Sequence, residues 1–185
     1  MKVCSPDERF SNILLKKRVV QRDVEASLLL NIQEELKLAY EDLGDNSVIL
    51  NSMSSFFEYA SFDFVKENGD TVLCCLHIGD VVTINIEDED NFAIIKAIFC
   101  HQKNDTRFAF IIVDWFEKIN RITLGCPVYR LQTTNSNFRK VFSISLVDAI
   151  NTVHFVHNCK EEECMGNHDF RNNLYIRNMY FFKAI

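Results

Sequence analysis

Glycine and proline are scarce in this chain, with only 5 Gly and 2 Pro among 185 residues. Flexible linkers and low-complexity segments are rich in both residue types and bury too little apolar surface to fold. Here 48% of the residues are hydrophobic and 16 are Phe, which is ample for a core. The composition therefore excludes a disordered chain and predicts one domain with an extension, or one and a half domains.

Long apolar runs are also missing, and none is sufficient to span a bilayer. The first residues, Met1 to Asp7, carry charges where a secretory signal needs an apolar stretch. We therefore expect a cytoplasmic protein with no membrane partner. In that compartment the seven cysteines are expected to be thiols or metal ligands, and not disulfides.

An excess of positive charge is absent, because the formal net charge is −6. This value argues against a nucleic-acid binder that works by bulk electrostatic attraction. The charge is uneven along the chain, with a net −3 over residues 1–60, −6 over 61–120 and +3 over 121–185. An acidic body with a basic C-terminal third can still contact phosphate groups locally.

No catalytic motif stands out. The five glycines are scattered, so there is no phosphate-binding loop, and neither a Gly-x-Ser-x-Gly elbow nor a His-Glu-x-x-His pair occurs. The carboxylate run at 87–90 lacks the glycine and the spacing of a calcium loop and is typical of a solvated turn. A catalytic triad of residues distant in the sequence stays open. We expect a protein that is not an enzyme and has no small-molecule substrate.

The N-terminal region, residues 1–60, is predicted to be helical. One helix is expected over about 24–43, with Asp23 as its N-cap and Gly44 as its left-handed C-terminal stop. Its apolar face recurs at spacings of three and four and consists of Val24, Leu28, Ile32, Leu36, Ala39 and Leu43. A basic cluster precedes it and is expected on a short helix, either as a solvated face or as a phosphate contact: Lys16, Lys17, Arg18 and Arg22.

From residue 61 the apolar period changes to two, which is typical of strands. Asn68-Gly69 favours a hairpin turn. Strands are predicted at 61–65, 71–76, 81–86, 92–100, 108–116, 128–131, 141–146 and 152–157. The predicted fold class is α+β, with N-terminal helices, a small antiparallel barrel-like core over 61–158, and a C-terminal His/Cys segment with a tail over 159–185.

Three histidines and two cysteines fall between residues 154 and 168. His157 and Cys159 share one face if they lie on a strand, and zinc takes four such ligands in a tetrahedron. The spacing predicts a structural zinc site of His157, Cys159, Cys164 and His168. The alternative is a set of core thiols with ordinary surface histidines.

The C-terminal tail mixes asparagine, basic and aromatic residues. Such side chains can hydrogen-bond to and stack on RNA, or anchor a protein interface. The predicted contact residues are Arg171, Tyr175, Arg177, Tyr180 and Lys183. The alternative is a final strand and a coil that pack on the core.

The middle of the chain resembles a bromo-adjacent homology (BAH) domain. The likeness covers residues 79 to about 158 and is carried by the segments Gly79–Ile84, Asn91–Phe99, Ile111–Phe116 and Val141–Asp148. Some members of that family hold a methylated lysine in an aromatic cage by cation–π attraction. The resemblance implies a reader module and a pocket of Phe92, Trp115 and Tyr129; the alternative is that these rings belong to the core.

The whole chain also resembles the microsporidian ribosome dormancy (hibernation) factors. Its length, its N-terminal part, the His-x-Cys…Cys…His segment and the aromatic tail carry this likeness. The resemblance implies a protein that occupies the E-site tRNA region of idle ribosomes and blocks translation. Its acidic body would then face basic ribosomal proteins. The basic tail and the cluster at Lys16–Arg18 would contact ribosomal RNA.

Overall fold

The structure is a computed structural model that describes residues 1–20, 23–46, 54–86, 89–132, 138–148, 151, 153–158 and 173–180, with 89 and 90 described by their backbone only. These residues form ten strands and one α-helix. The bounds are β1 Phe10–Val19, α1 Ile32–Glu41, β2 Ser55–Val65, β3 Thr71–His77, β4 Val81–Ile86, β5 Glu89–Lys103, β6 Thr106–Thr123, β7 Cys126–Gln132, β8 Val141–Ser143, β9 Phe155–His157 and β10 Leu174–Arg177.

The strands join one antiparallel sheet in the order β1-β2-β5-β6-β7-β10-β9, with β3 also on β2, β4 on β5 and β8 on β6. The long strands β5 and β6 change neighbours along their length, and the β5–β6 register shifts between Ile95 and Ala97. Such a bulge bends a strand. The sheet is open, so the predicted fold of N-terminal helices and a small barrel is wrong.

The N-terminal region differs from the prediction because its first apolar residues belong to a strand. Phe10, Ile13 and Leu15 are buried, and β1 pairs with β2. The sheet supplies hydrogen bonds and an apolar face that the local sequence does not reveal. The cluster of Lys16, Lys17 and Arg18 therefore lies on a strand and not on a short helix.

The predicted helix over 24–43 is broken in two. A short 3-10 turn spans Ala26–Leu29, and α1 begins only at Ile32 after Asn31, whose φ is 59°. Asp23 therefore does not cap α1. With this break, Leu28 and Leu36 both reach the core. The apolar spacing had predicted the same burial, but for a continuous helix. Gly44 adopts the predicted left-handed conformation, with φ of 76°.

The strand predictions are largely confirmed. The hairpin around Gly69, whose φ is 85°, joins β2 to β3, and β4 has the predicted bounds 81–86. The predicted strand at 141–146 ends at Ser143, whose hydroxyl accepts a hydrogen bond from the Ser145 amide and starts a 3-10 turn. The chain has no helix, among those described, that is long and apolar enough to cross a membrane.

Three apolar clusters make up the core formed by the described residues. The largest lies between β1–β6 and the 144–147 segment; a second lies where α1 covers β5 and β6; the third is an aromatic group. The aromatic group contains Phe92, Phe116, Tyr129 and Leu131, with Phe155 and Tyr175 packed against it. This third cluster borders the candidate site.

A buried polar network joins α1 to β5. The Tyr40 hydroxyl lies 2.8 Å from Nδ1 of His101, and neither side chain is exposed to solvent. The Lys103 ammonium lies 4.5 Å from the centre of the Tyr40 ring and 2.9 Å from the Asp45 carboxylate. Burial lowers the pKa of His101 to about 4 and raises the pKa of Tyr40. The imidazole is therefore neutral near pH 7.

Candidate functional site

An aromatic groove of about 660 Å³ lies beside the β6–β7 ladder and the 138–142 segment. Aromatic side chains dominate its lining. The aromatic residues are Phe92, Trp115, Phe116, Tyr129, Phe138 and Phe142, and the polar ones are Asn91, Glu117, Lys118, Gln132 and Arg139. Aromatic walls combined with polar side chains that can fix the orientation of a ligand are typical of a binding site.

Trp115, the only tryptophan, is partly exposed and is held from two sides. Its indole N–H donates to the Arg139 carbonyl oxygen at 2.6 Å. Its ring meets the Phe142 ring edge to face, with centroids 5.3 Å apart. The indole nitrogen is thus satisfied within the protein, and the ring face is the part of Trp115 that can serve a ligand.

Phe92 and Tyr129 form the buried part of the groove. Each is 6% exposed, and their rings meet edge to face at 5.8 Å. The structure therefore brings the three predicted aromatic residues to one groove, where Trp115 is the most accessible of them. Phe92 and Tyr129 are buried core residues that also line the groove, and the lysine-binding role of the three rings stays a prediction.

Sequence reasoning missed Phe116, Phe138 and Phe142 as groove residues. Phe138 is 57% exposed, which is unusual for a phenylalanine. Phe116 follows Trp115 directly, and the strand period would send the two rings to opposite faces. Both residues nevertheless line the groove. No local signal marks Phe138, because it lies in a polar stretch between strands.

The rim of the groove carries a carboxylate. Glu117 accepts a hydrogen bond from the Gln132 amide, and its carboxylate lies 4.0 Å from the Arg130 guanidinium. Its side chain is 47% exposed. Aromatic ring faces beside an exposed carboxylate attract organic cations, because the ring quadrupole and the negative charge act in the same direction.

The predicted tail contacts are partly used inside the protein. The Arg177 guanidinium lies 4.3 Å from the centre of the Phe92 ring, and the Tyr175 ring meets Phe116 edge to face at 5.2 Å. Tyr180, by contrast, is 67% exposed. As partner contacts, these three residues stay predictions. Arg171 and Lys183 lie outside the described residues.

The basic cluster lies at one end of the sheet on β1. Lys16, Lys17 and Arg18 are exposed, and the Lys17 ammonium lies 3.1 Å from the Glu58 carboxylate. Lys16 lies 5.7 Å from the centre of the Tyr59 ring. These surface contacts are weak and leave the cations accessible to phosphate. Arg22 lies outside the described residues.

Only one of the four predicted zinc ligands, His157, lies among the described residues. His157 lies in β9, with its ring 5.0 Å from that of Tyr175. Cys159, Cys164 and His168 lie outside the described residues. Within the described ranges, no three His, Cys, Asp or Glu side chains are grouped to hold a metal. The zinc site stays a prediction.

A larger cavity, of about 750 Å³, lies near the β2–β3 turn and the 145–148 segment. Of the two cations in its lining, Arg9 and Lys66, Arg9 is already paired with Asp7 at 2.7 Å, and this pairing lowers the pKa of Asp7. The two Phe side chains in its lining, Phe10 and Phe64, are buried in the main core. It lacks the exposed rings of the Trp115 groove, which we therefore take as the better candidate site.

No protein-family model matches the chain, and no curated protein matches it.

Proposed function

We propose that this chain is a non-enzymatic binding module whose Trp115 groove takes a methylated lysine side chain of a protein partner, such as a histone tail. One observation carries the proposal. The only tryptophan is partly exposed in a groove with two buried aromatic residues, Phe92 and Tyr129, and an exposed one, Phe138.

The chemistry of the groove suits such a cation. Methylation makes an ammonium group larger and less strongly hydrated without removing its charge, so it can leave water and lie against aromatic faces. Glu117 at the rim adds an attractive charge that stays in water. The Arg139 guanidinium, which also lines the groove, is paired with Asp42, and this limits its repulsion of an incoming cation. Lys118 is the second cation of the lining, and its exposed side chain is screened by water.

The proposal is tested with labelled histone-tail peptides that carry unmodified or trimethylated lysine, with binding followed by fluorescence anisotropy. We expect Trp115→Ala to weaken binding of the trimethylated peptide by about tenfold or more, because a desolvated cation–π contact contributes up to ~2 kcal/mol. Trp115→Phe should retain part of the affinity, since it keeps an aromatic face.

Leu73→Ala is the control, because Leu73 is an exposed apolar residue on β3 that does not line the groove. It should bind the peptide like the wild type, and circular dichroism should show that each variant is folded. A wild type that binds none of the methylated peptides, or a Trp115→Ala variant with unchanged affinity, would overturn the reader proposal.

We infer a ribosome dormancy factor as the second candidate function, in which the chain occupies the E-site region of idle ribosomes and contacts rRNA and ribosomal proteins. The exposed cations Lys16, Lys17 and Arg18, consecutive on β1, support it. Three adjacent cations can bind RNA phosphates even on an acidic protein. This function requires no ligand in the groove, and the aromatic residues there would then serve only to pack the core.

Sucrose-gradient sedimentation of a native lysate tests this candidate. We expect the protein to run with monosomes and to leave them as salt is raised, because each phosphate contact releases a counterion. The double variant Lys16→Glu/Lys17→Glu should shift to the top of the gradient, while Lys37→Glu, an exposed control on α1, should not. Wild-type protein that stays at the top of the gradient would contradict the ribosome proposal.

A further inference from the structure

The position of Trp115 depends on a short segment that follows the undescribed residues 133–137. Arg139 accepts the indole N–H at 2.6 Å through its carbonyl oxygen, and its guanidinium lies 4.4 Å from the centre of the Phe142 ring. Phe142 in turn contacts the Trp115 ring. Movement of residues 139–142 would therefore move the tryptophan ring and one wall of the groove.

Arg139 is held in place by a carboxylate that follows α1. Its Nη1 donates to Oδ1 of Asp42 at 3.1 Å, Nη2 pairs with the second oxygen, and Nε donates to the Val141 carbonyl at 3.1 Å. A two-pronged Arg–carboxylate pair fixes direction as well as distance. The Arg139 and Asp42 side chains are 25% and 29% exposed, so solvent screens this pair only in part.

A second carboxylate from the helix holds the backbone of the same segment. Oε2 of Glu35 accepts the amide of Lys140 at 2.8 Å and that of Val141 at 3.2 Å. Glu35 and Asp42 are seven residues apart, which is about two helical turns, so they lie along one side of α1. Both therefore reach the same strand-like segment.

The helix that carries these carboxylates is itself anchored. Leu36, Ala39 and Tyr40 are buried against β5 and β6, and Tyr40 also joins the network with His101. Neither Glu35 nor Asp42 lines the groove. They thus lie behind the Trp115 ring, which is the group that would contact a ligand.

We propose that Glu35 and Asp42 are positioning residues that connect α1 to the groove, because together they hold the Arg139 segment that orients Trp115. The effect on ligand binding rests on the proposed reader function, but the orientation of Trp115 does not. The linkage explains why the carboxylate of Glu35 accepts backbone amides of the 139–141 segment and why that of Asp42 pairs with the Arg139 guanidinium.

The experiment uses Asp42→Asn and Glu35→Gln in the full chain, since both substitutions keep the side-chain shape and remove the charge. Trp115 is the only tryptophan, so its emission maximum and its quenching by acrylamide report this position alone. We expect both variants to shift the emission and to raise the quenching constant. We also expect affinity for the trimethylated peptide to fall by about three- to tenfold, the size of one ordinary hydrogen bond, because the amide keeps part of each contact.

Glu41→Gln is the matched control, because Glu41 also belongs to α1 but pairs with Lys37 on the helix surface. It should leave the emission and the affinity unchanged. The exchanged pair Asp42→Arg/Arg139→Asp should restore the quenching constant toward that of the wild type. A purely structural role would lower the unfolding midpoint without changing the Trp115 spectrum of the folded protein.

The outcomes separate the two proposals. Altered Trp115 emission without any peptide binding by the wild type would support the positioning role and overturn the reader function. Folded Asp42→Asn and Glu35→Gln variants with wild-type emission, quenching and affinity would overturn the positioning role. Wild-type emission with reduced affinity would also overturn it, since the effect would then not pass through Trp115.

Discussion

Replacing Phe110 with Ala is expected to lower the free energy of unfolding by about 3–5 kcal/mol, the range for a fully buried phenylalanine. Phe110 has no exposed surface and lies in the first third of β6. Its ring stacks on Phe99 at 5.5 Å and meets Tyr40 edge to face at 5.1 Å. The substitution removes these contacts and leaves a cavity beneath α1 that rigid strands cannot close.

Urea unfolding followed by Trp115 fluorescence measures this loss. Phe110→Leu should cost less, because it keeps an apolar side chain and leaves a smaller cavity. Leu124→Ala is the matched surface control, since Leu124 is 85% exposed, and we expect a change of at most about 0.5 kcal/mol. A Phe110→Ala protein within about 1 kcal/mol of the wild type would contradict the packing described for α1.

The second large effect is a loss of stability in mild acid that arises from His101. This imidazole has no exposed surface, and burial lowers its pKa from 6.5 to about 4, with Lys103 nearby acting in the same direction. The unfolded chain therefore binds more protons than the folded one between these two values, and the free energy of unfolding falls as the pH falls through that window.

The size of the effect follows from the two pKa values. Above about pH 6.5 the free energy of unfolding keeps its full value. Below about pH 4 the loss caused by His101 is complete and amounts to about 3 kcal/mol. At pH 5 the loss is already about 2 kcal/mol. Asp114 acts in the opposite direction, because burial raises the pKa of its carboxyl and protonation then favours the folded state.

Urea unfolding at pH 7 and pH 5 tests this prediction. His101→Gln should be much less sensitive to pH in this range, since the amide can still accept a hydrogen bond from Tyr40 but cannot be protonated. His77→Gln is the control, because the His77 side chain is 56% exposed, and it should keep the full pH dependence. If His101→Gln lost as much stability as the wild type, His101 would not be the group responsible.

Most of the sheet could be predicted from the sequence, because strand patterns are local. The alternation around Val81 to Ile86 and the Asn68-Gly69 turn are properties of neighbouring residues, and the structure reproduces both. The N-terminal strand β1 could not be predicted in this way. Its residues Lys16–Arg18 look like one face of a helix until β2 supplies the partner that pairs with them.

The break before α1 has a similar cause. A continuous helix from Val24 would satisfy the local apolar spacing, and the sequence offers no proline to stop it. The structure instead places Asn31 in the left-handed region, which asparagine tolerates better than most residues. Packing of Leu28 and Leu36 onto β5 and β6 decides the break, and that packing is a tertiary property.

The candidate site shows the same division. Trp115 could be singled out from the sequence, because it is a unique aromatic residue next to phenylalanine in an apolar strand. Phe138 and the support from Glu35 and Asp42 could not, since they lie 23, 80 and 73 positions away from Trp115 in the sequence. Only the folded sheet and the docked helix bring them to the same place.

The sequence by itself determined a β-rich chain with an amphipathic helix, an acidic body and no recognisable catalytic motif. These features follow from composition and short-range periodicity, which need no knowledge of distant residues. The tertiary structure alone decided that the sheet stays open, that the basic cluster lies on β1, and that aromatic residues from separate strands line one groove. Each of these depends on pairing or packing between distant segments, where the energies of contact exceed local preference.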